Sequence, residues 1–406
     1  MTEWQNVKLG DVCSITMGTS PKGEDINTLN GMPFFQGSAE FGSRYPTVAK
    51  FTLNPIRLAK KGDILFSVRA PVGDLNIANI DCCIGRGLCA IRAIDFSLQR
   101  FVEYALLFTK NKWSAINDSG SVFGCAKRND LYDFEIPWTK DIFTLKRIAG
   151  ILGALDDRID VLRRENVVLE QMAQAVFQSW FVDFDIVRAK AAGTPESEVC
   201  EKYHITPELY ALFPSALTPD NLPLGWEKKK LGDISQYSKE KTTNVNIETY
   251  VSTENMLPNY GGIEKASSVP ETGQSTRYKA GNVLISNIRP YFKKIWFADR
   301  EGSCSNDVLV FSSNSIGKCM LYSILAQDAF FDFVMSGANG DKMPRGNKKH
   351  IMTYPVIFPN MDLLNKFENL VASLFDKKSK NAQQIRALSA TRDALLPKLM
   401  NGEIEV

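Results

Sequence analysis

The chain has 406 residues, of which 44% are hydrophobic, 10% aromatic and 23% charged. That balance excludes a disordered chain and a disulfide-stapled mini-protein, and at roughly 100 to 200 residues per domain it predicts two or three domains, each with its own core. The 48 basic and 46 acidic side chains leave a net charge of +2, so nucleic acid binding requires charge segregated onto one face. The start, Met1-Thr2-Glu3-Trp4-Gln5-Asn6, lacks the basic and apolar regions of a signal peptide, and no run of about 18 apolar residues follows, so a cytoplasmic location is expected. The eight cysteines (13, 82, 83, 89, 125, 200, 304, 319) are then expected as thiols, and the pair Cys82-Cys83 has neither CxxC nor metal-ligand spacing.

The chain is written twice. Trp4-Gln5-Asn6-Val7-Lys8-Leu9-Gly10-Asp11-Val12 recurs as Trp226-Glu227-Lys228-Lys229-Lys230-Leu231-Gly232-Asp233-Ile234. Lys61-Gly62-Asp63-Ile64-Leu65-Phe66-Ser67 is matched by Ala280-Gly281-Asn282-Val283-Leu284-Ile285-Ser286, and each reads as a turn followed by a buried strand. A Ser-Gly turn (Ser119-Gly120, Ser336-Gly337), a basic loop (Lys127-Arg128, Arg345 to Lys349) and a strand closing at Pro137 or Pro359 complete each half.

A long helix is predicted after each. From Ile148 apolar residues recur at alternating spacings of 4 and 3, through Leu152, Leu155, Ile159, Leu162, Asn166, Leu169, Ala173 and Val176 to Trp180. The same spacing from Phe367 gives Val371, Leu374, Lys378, Asn381, Ile385, Leu388, Arg392, Leu395 and Leu399. Asn166 and Asn381 either set the register of a coiled coil or mark a one-residue slip in the assigned seam. Helices of about 35 residues would span roughly 50 Å. The expected fold is α+β, with a first globular domain at 1–140, a helix at 141–187, a Pro-rich connector at 188–225, a second domain at 226–360 and a helix at 361–402. The helices are expected to pair as an antiparallel coiled coil with pseudo-twofold symmetry, a form suited to a twofold target such as duplex DNA.

Catalytic patterns are missing. The two histidines, His204 and His350, supply no site that repeats between the halves, and both are expected at the surface. Gly85-Arg86-Gly87 lacks the third glycine of a dinucleotide site, and Asp220 with Glu227-Lys228-Lys229 imitates nuclease carboxylates only by coincidence, in a connector too irregular for a metal site. The loops instead carry side chains suited to DNA: Lys22, Gln36, Ser38, Arg69, Arg86, Lys127 and Arg128 in the first half, and Lys241, Asn255, Asn287, Arg289, Lys293, Lys294, Arg345, Asn347, Lys348 and Lys349 in the second. Arg and Lys read guanine, Asn and Gln read adenine, and lysine clusters neutralise phosphates.

The repeated Trp-x3-Lys-Leu-Gly-Asp, the segments Leu155-Asp156-Asp157-Arg158-Ile159 and Phe177-Gln178-Ser179-Trp180-Phe181-Val182-Asp183-Phe184, and the tail from Arg392 to Ile404 resemble the DNA-specificity (S) subunit of type I restriction-modification systems over essentially the whole chain. The resemblance implies two target recognition domains, each reading half of a bipartite asymmetric site, and assembly with two modification subunits and with restriction subunits. It places adenine methylation and cleavage, with S-adenosylmethionine, ATP and Mg, in those partners; this chain would be non-catalytic and hold no cofactor. Phe177, Trp180, Phe181 and Phe184 are too many aromatics for one seam, so some are expected to face a modification subunit, with Leu395, Leu396 and Leu399 as the matching contact; packing on the helix pair or connector is the alternative. A coiled-coil scaffold with protein-binding ends is the competing function, distinguished by the absence of salt-dependent DNA affinity.

Overall fold

The computed structural model describes residues 3–113 and 124–406 and is α+β. The Ser119-Gly120 turn lies outside the described residues. Among the described residues no helix is long and apolar enough to cross a membrane. The chain forms two compact units, Met1–Val161 with Ile385–Val406, and Leu162–Gln384. The division falls inside the long helices, so each unit holds one globular segment and portions of both helices.

One frame is built in each unit. Trp4–Lys8 pairs antiparallel with Glu135–Thr139, as Glu227–Lys230 does with Pro355–Phe358. A one-turn helix follows, Leu9–Val12 or Leu231–Ile234, and explains the repeated Leu-Gly-Asp. Leu9 and Leu231 are fully buried, and their N–H groups donate to Phe134 O at 2.7 Å and Tyr354 O at 2.8 Å. Gly10 has no room for a side chain, since a Cβ would lie 2.5 Å from Tyr132 Cδ1. Asp233 caps its turn by accepting from Lys230 N at 2.8 Å.

Each frame continues into a four-stranded sheet. Its order is Cys13–Met17, Leu88–Ala93, Ile64–Ser67, Leu75–Ile77 in the first unit and Ser235–Tyr237, Val308–Ser313, Val283–Ser286, Ile295–Phe297 in the second. The central strands Ile64–Ser67 and Val283–Ser286 are buried throughout, as continuous apolar runs require. Both are entered through a left-handed glycine, Gly62 (φ 91) or Gly281 (φ 85). The following Asp63 or Asn282 closes the turn, accepting from Lys60 N or Lys279 N at 2.7 Å. The halves diverge in a further sheet, five-stranded in the first unit and four-stranded in the second.

The long helices span Ile142–Phe177 and Met361–Met400. None of the predicted seam positions is exposed. In the second unit the helices run antiparallel, with Asn381 Nδ2 donating to Asn166 Oδ1 at 3.0 Å and Phe177 against Phe367 at a ring separation of 6.0 Å. The asparagines therefore face each other across the seam, and the assigned register holds without a slip. The seam cations are also partnered. Lys378 pairs with Glu170, which also accepts from Tyr322 OH. In the first unit Arg392 Nη1 lies 2.7 Å from Asp156 Oδ1, and Asp156 accepts from Tyr104 OH at 2.6 Å. Each unit thus links a tyrosine of its globular part, a carboxylate of the first long helix and a cation of the second. Arg44 extends the first relay to Glu103 at 3.0 Å and Asp156 at 3.2 Å. Burial raises the Glu103 carboxyl above its usual range, and Arg44 opposes that rise.

The first long helix ends before the expected boundary at 187. A π-type turn, Gln178–Val182, and a left-handed Phe184 (φ 56) redirect the chain into a separate helix, Asp185–Ala191. This break corrects the expectation that the aromatics face a partner. Phe177, Trp180, Phe181 and Phe184 are only 3–6% exposed. Trp180 meets Phe213 of the connector at 5.3 Å, Phe181 meets Phe367 at 5.1 Å, and the repeated Trp226 lies 5.9 Å from Phe181 and 5.7 Å from Phe184. Leu399 is likewise buried, with Leu395 and Leu396 packed on the first unit's core. There Gly402 (φ 71) ends the second long helix against Trp4, whose Nε1 would lie 2.6 Å from a Cβ. Each repeated tryptophan is seated at the end of a long helix, and the aromatic and leucine-rich segments are those seats.

Removing one member of a buried relay leaves uncompensated charge, so Asp156→Ala is expected to destabilise the first unit by about 3–5 kcal/mol in urea unfolding. Replacing Asn166 and Asn381 together by Leu removes the polar layer without leaving an unpaired amide, and is expected to raise the thermal midpoint while loosening register. A lowered midpoint in the double variant would contradict this.

Candidate nucleic-acid interface

Three chain segments meet in each unit beyond the end of the central strand. In the first, Val68 N donates to Gly87 O and Ala126 N to Val68 O, both at 2.9 Å, and Arg69 bridges to Cys125. In the second, Asn287 N donates to Asp307 O at 2.8 Å, Gly346 N to Asn287 O at 3.2 Å, and Ile288 bridges to Arg345. Ser67 Oγ donates to Arg69 O at 2.8 Å and Ser286 Oγ to Ile288 O at 3.1 Å, so the strand ends correspond residue for residue. The basic loops that recur in the sequence therefore occupy equivalent places in the two frames.

In the first unit Arg69, Arg86 and Lys127 are exposed, and among the described residues none of them is ion-paired. Gln36 lies beside Arg86 through Ser20: Gln36 Nε2 donates to Ser20 Oγ at 3.0 Å, and Ser20 Oγ accepts from Arg86 N at 3.3 Å. Arg128 lies over the Tyr132 ring at 5.2 Å. Lys22 is exposed, 3.6 Å from Glu24, and Ser38 begins a short 3-10 turn. Gln36, Arg69, Arg86, Lys127 and Arg128 thus share one loop cluster, with Lys22 at its edge in sequence.

In the second unit Lys241 Nζ donates to Thr276 Oγ1 at 2.8 Å and Asn306 Oδ1 at 2.7 Å. It lines, with Tyr237 and Lys348, a cleft of about 380 Å³. Lys348, Lys349 and Arg289 are exposed, and among the described residues they are not ion-paired. Arg345 lies 3.2 Å from Asp307. Asn287 is half-buried, its Oδ1 facing Gly346 and without a hydrogen-bond partner among the described residues.

Several expectations change here. Lys294 Nζ donates to Thr253 O at 2.7 Å, and burial lowers its pKa below the usual lysine value, so in the free chain it braces a loop. Asn347 Oδ1 accepts from Lys349 N at 3.0 Å and His350 N at 3.2 Å, which makes it a helix cap. Asn255 is buried and bonded to Tyr250 O and Glu264 O. Lys293 is tied to Asp328 at 2.6 Å. His350 is half-buried and stacked on Phe333 at 4.2 Å. The two tyrosine relays were missed by sequence reasoning; the cations Lys378 and Arg392 at seam positions were their signal, because a charge in a seam needs a partner.

Residues 1–171 match the family described as Type I restriction modification DNA specificity domain. The chain is 38% identical over 178 residues, 43% of its length, to the "Putative type I restriction enzyme MjaX specificity subunit" of Methanocaldococcus jannaschii, and spans 41% of that relative. It is 25% identical over 437 residues, covering 100% of its own length and 94% of the other's, to the "Type I restriction enzyme MjaIX specificity subunit" of the same organism. Along its length the chain is thus similar to type I restriction-modification DNA specificity (S) subunits. The crystal structure of the S subunit from M. genitalium has the same fold at 18% identity, covering 98% of this chain and 96% of that one with a TM-score of 0.53. Specificity subunits are the non-catalytic members of these systems.

The placement of the cations predicts distinct phenotypes. Replacing Lys348 and Lys349 by Ala is expected to weaken duplex binding for all sequences and to reduce the slope of log affinity against log salt by about one for each phosphate left without its cation. Lys294→Ala is expected to leave that slope unchanged and lower the thermal midpoint. Fluorescence anisotropy titrations at several salt concentrations check both, and a slope change confined to Lys294→Ala would reverse the assignment.

Proposed function

We propose that this specificity subunit reads a bipartite, asymmetric site on double-stranded DNA, one globular domain to each half-site. The observation that carries the reading is one loop cluster built twice on the same strand ends, with different exposed side chains in each. A shared frame fixes where the loops emerge; differing loops allow two sequences to be read. Residues 1–140 and 226–360 are the recognition domains in this proposal, the helices of 141–187 and 361–402 join them, and 188–225 connects them.

Arg69, Arg86 and Gln36 on one side, and Asn287 and Arg289 on the other, supply the bidentate and amide groups that distinguish base edges. Lys127, Lys241, Lys348 and Lys349 act on the backbone. Two modification subunits and the restriction subunits assemble on surfaces other than the buried aromatic cluster, and bring S-adenosylmethionine, ATP and Mg with them. Methylating a base within a duplex requires extruding it, and this chain supplies the register for that step.

Co-purification with the candidate methyltransferase, followed by sequencing of methylated adenines in host DNA with and without the chain, tests the reading. A two-part methylated motif that disappears on deletion is expected. An unchanged methylation pattern with no methyltransferase recovered would favour the scaffold function instead.

A further inference from the structure

The turns after the equivalent strands Ile64–Ser67 and Val283–Ser286 differ in a way that their frame does not impose. In the first unit Ser67 N donates to Asp74 O at 2.8 Å, and the tip folds inward. Val72 is buried there and Gly73 packs on Trp113. In the second unit Ser286 N donates to Lys294 O at 3.1 Å across a longer turn. Its tip carries Tyr291 and Phe292, 47% and 38% exposed, with ring centroids 4.7 Å apart.

This tip is held firmly. Arg289 (φ 49) and Lys293 (φ 51) flank it in the left-handed region, which non-glycine residues occupy only where their surroundings hold them. Arg289 N donates to Pro344 O and Asn259 N to Phe292 O, both at 2.8 Å, and Tyr260 N donates to Lys293 O at 3.0 Å. Lys293 and Lys294 add their bonds to Asp328 and Thr253. So many anchors fix two large aromatics with much of their surface left in water. The segment bridged to the turn also leads into the exposed Lys348 and Lys349, and Arg289 sits at the base of the tip. Cations beside a braced aromatic tip match the chemistry of a duplex, phosphates flanking a stack of bases.

We propose that Tyr291 and Phe292 form an aromatic wedge that unstacks a base step in the half-site read by the second domain. The first domain, whose equivalent turn buries Val72, leaves its half-site stacked. This rests on the DNA-reading function above and adds local deformation of one half-site, the action of apolar wedges in other DNA-bending proteins.

The test uses the full chain and duplexes of the site mapped by methylation sequencing, with 2-aminopurine substituted at one position at a time through both half-sites. Binding, followed by anisotropy, is expected to raise 2-aminopurine fluorescence by about three-fold at one step of the second half-site and at none of the first. The variant Y291A/F292A is expected to lose that rise and about ten-fold in affinity while melting like the parent. Tyr291→Phe, which keeps the ring, should retain the rise. Binding without any rise, or a rise that survives in Y291A/F292A, overturns the wedge and leaves DNA reading intact. Failure to bind the duplex at all overturns the DNA-reading function itself. Loss of the methyltransferase on co-purification with Y291A/F292A, with fluorescence unaltered, assigns the turn to a protein contact and also overturns the wedge.

Discussion

Partnered polar groups within the long-helix seam are the constraint on which the rest of this molecule depends. A purely apolar seam tolerates sliding by a heptad, because one layer of leucines resembles the next. Here Asn166 meets Asn381, Glu170 meets Lys378, and Asp156 meets Arg392. A shifted register would bury each of these groups without its partner, at a cost of several kcal/mol for each charge. The same carboxylates also hold the globular parts, since Tyr104 and Tyr322 donate to Asp156 and Glu170. Helix register and domain attachment are therefore settled by the same side chains.

On that foundation each unit separates a shared scaffold from divergent loops. The opening strand, the Leu-Gly-Asp turn and the four-stranded sheet recur with the same topology. Divergence is concentrated in the additional sheet and in the loops beyond the central strand. A loop can change its side chains without disturbing a core that ends at Ser67 or Ser286, which is what the proposed reading of two unrelated half-sites requires.

Much of the scaffold was legible in the sequence because its signals are local. The alternating spacing of 4 and 3 placed the seam, and Gly62 with Gly281 marked turns that need a left-handed residue. The fate of Phe177 to Phe184 was not legible. Their inward orientation follows from a π-type turn and a left-handed Phe184, and from packing on Trp226 and Phe367, far away in sequence. The bonds of Lys294 and Asn347 were not legible for a related reason: a lysine that bonds Thr253 O and an asparagine that caps a turn have the same composition as base-reading side chains. The cations in the seam were visible as interruptions, but their carboxylate partners emerge only when the helices pair.

The exposed Cys125 offers the most direct test of the claim that each domain reads its own half-site. An iron chelate attached there, and separately at Asp341→Cys, in the exposed loop between the bridged Asn339 and Arg345, in a Cys125→Ser background, with Cys200→Ser in both, cleaves the DNA nearest each loop cluster. The account predicts two separate cleavage clusters on a duplex carrying the site, one from each position, on either side of an uncut spacer. Cleavage of the same bases from both positions, or none above the level of unattached iron, would contradict it.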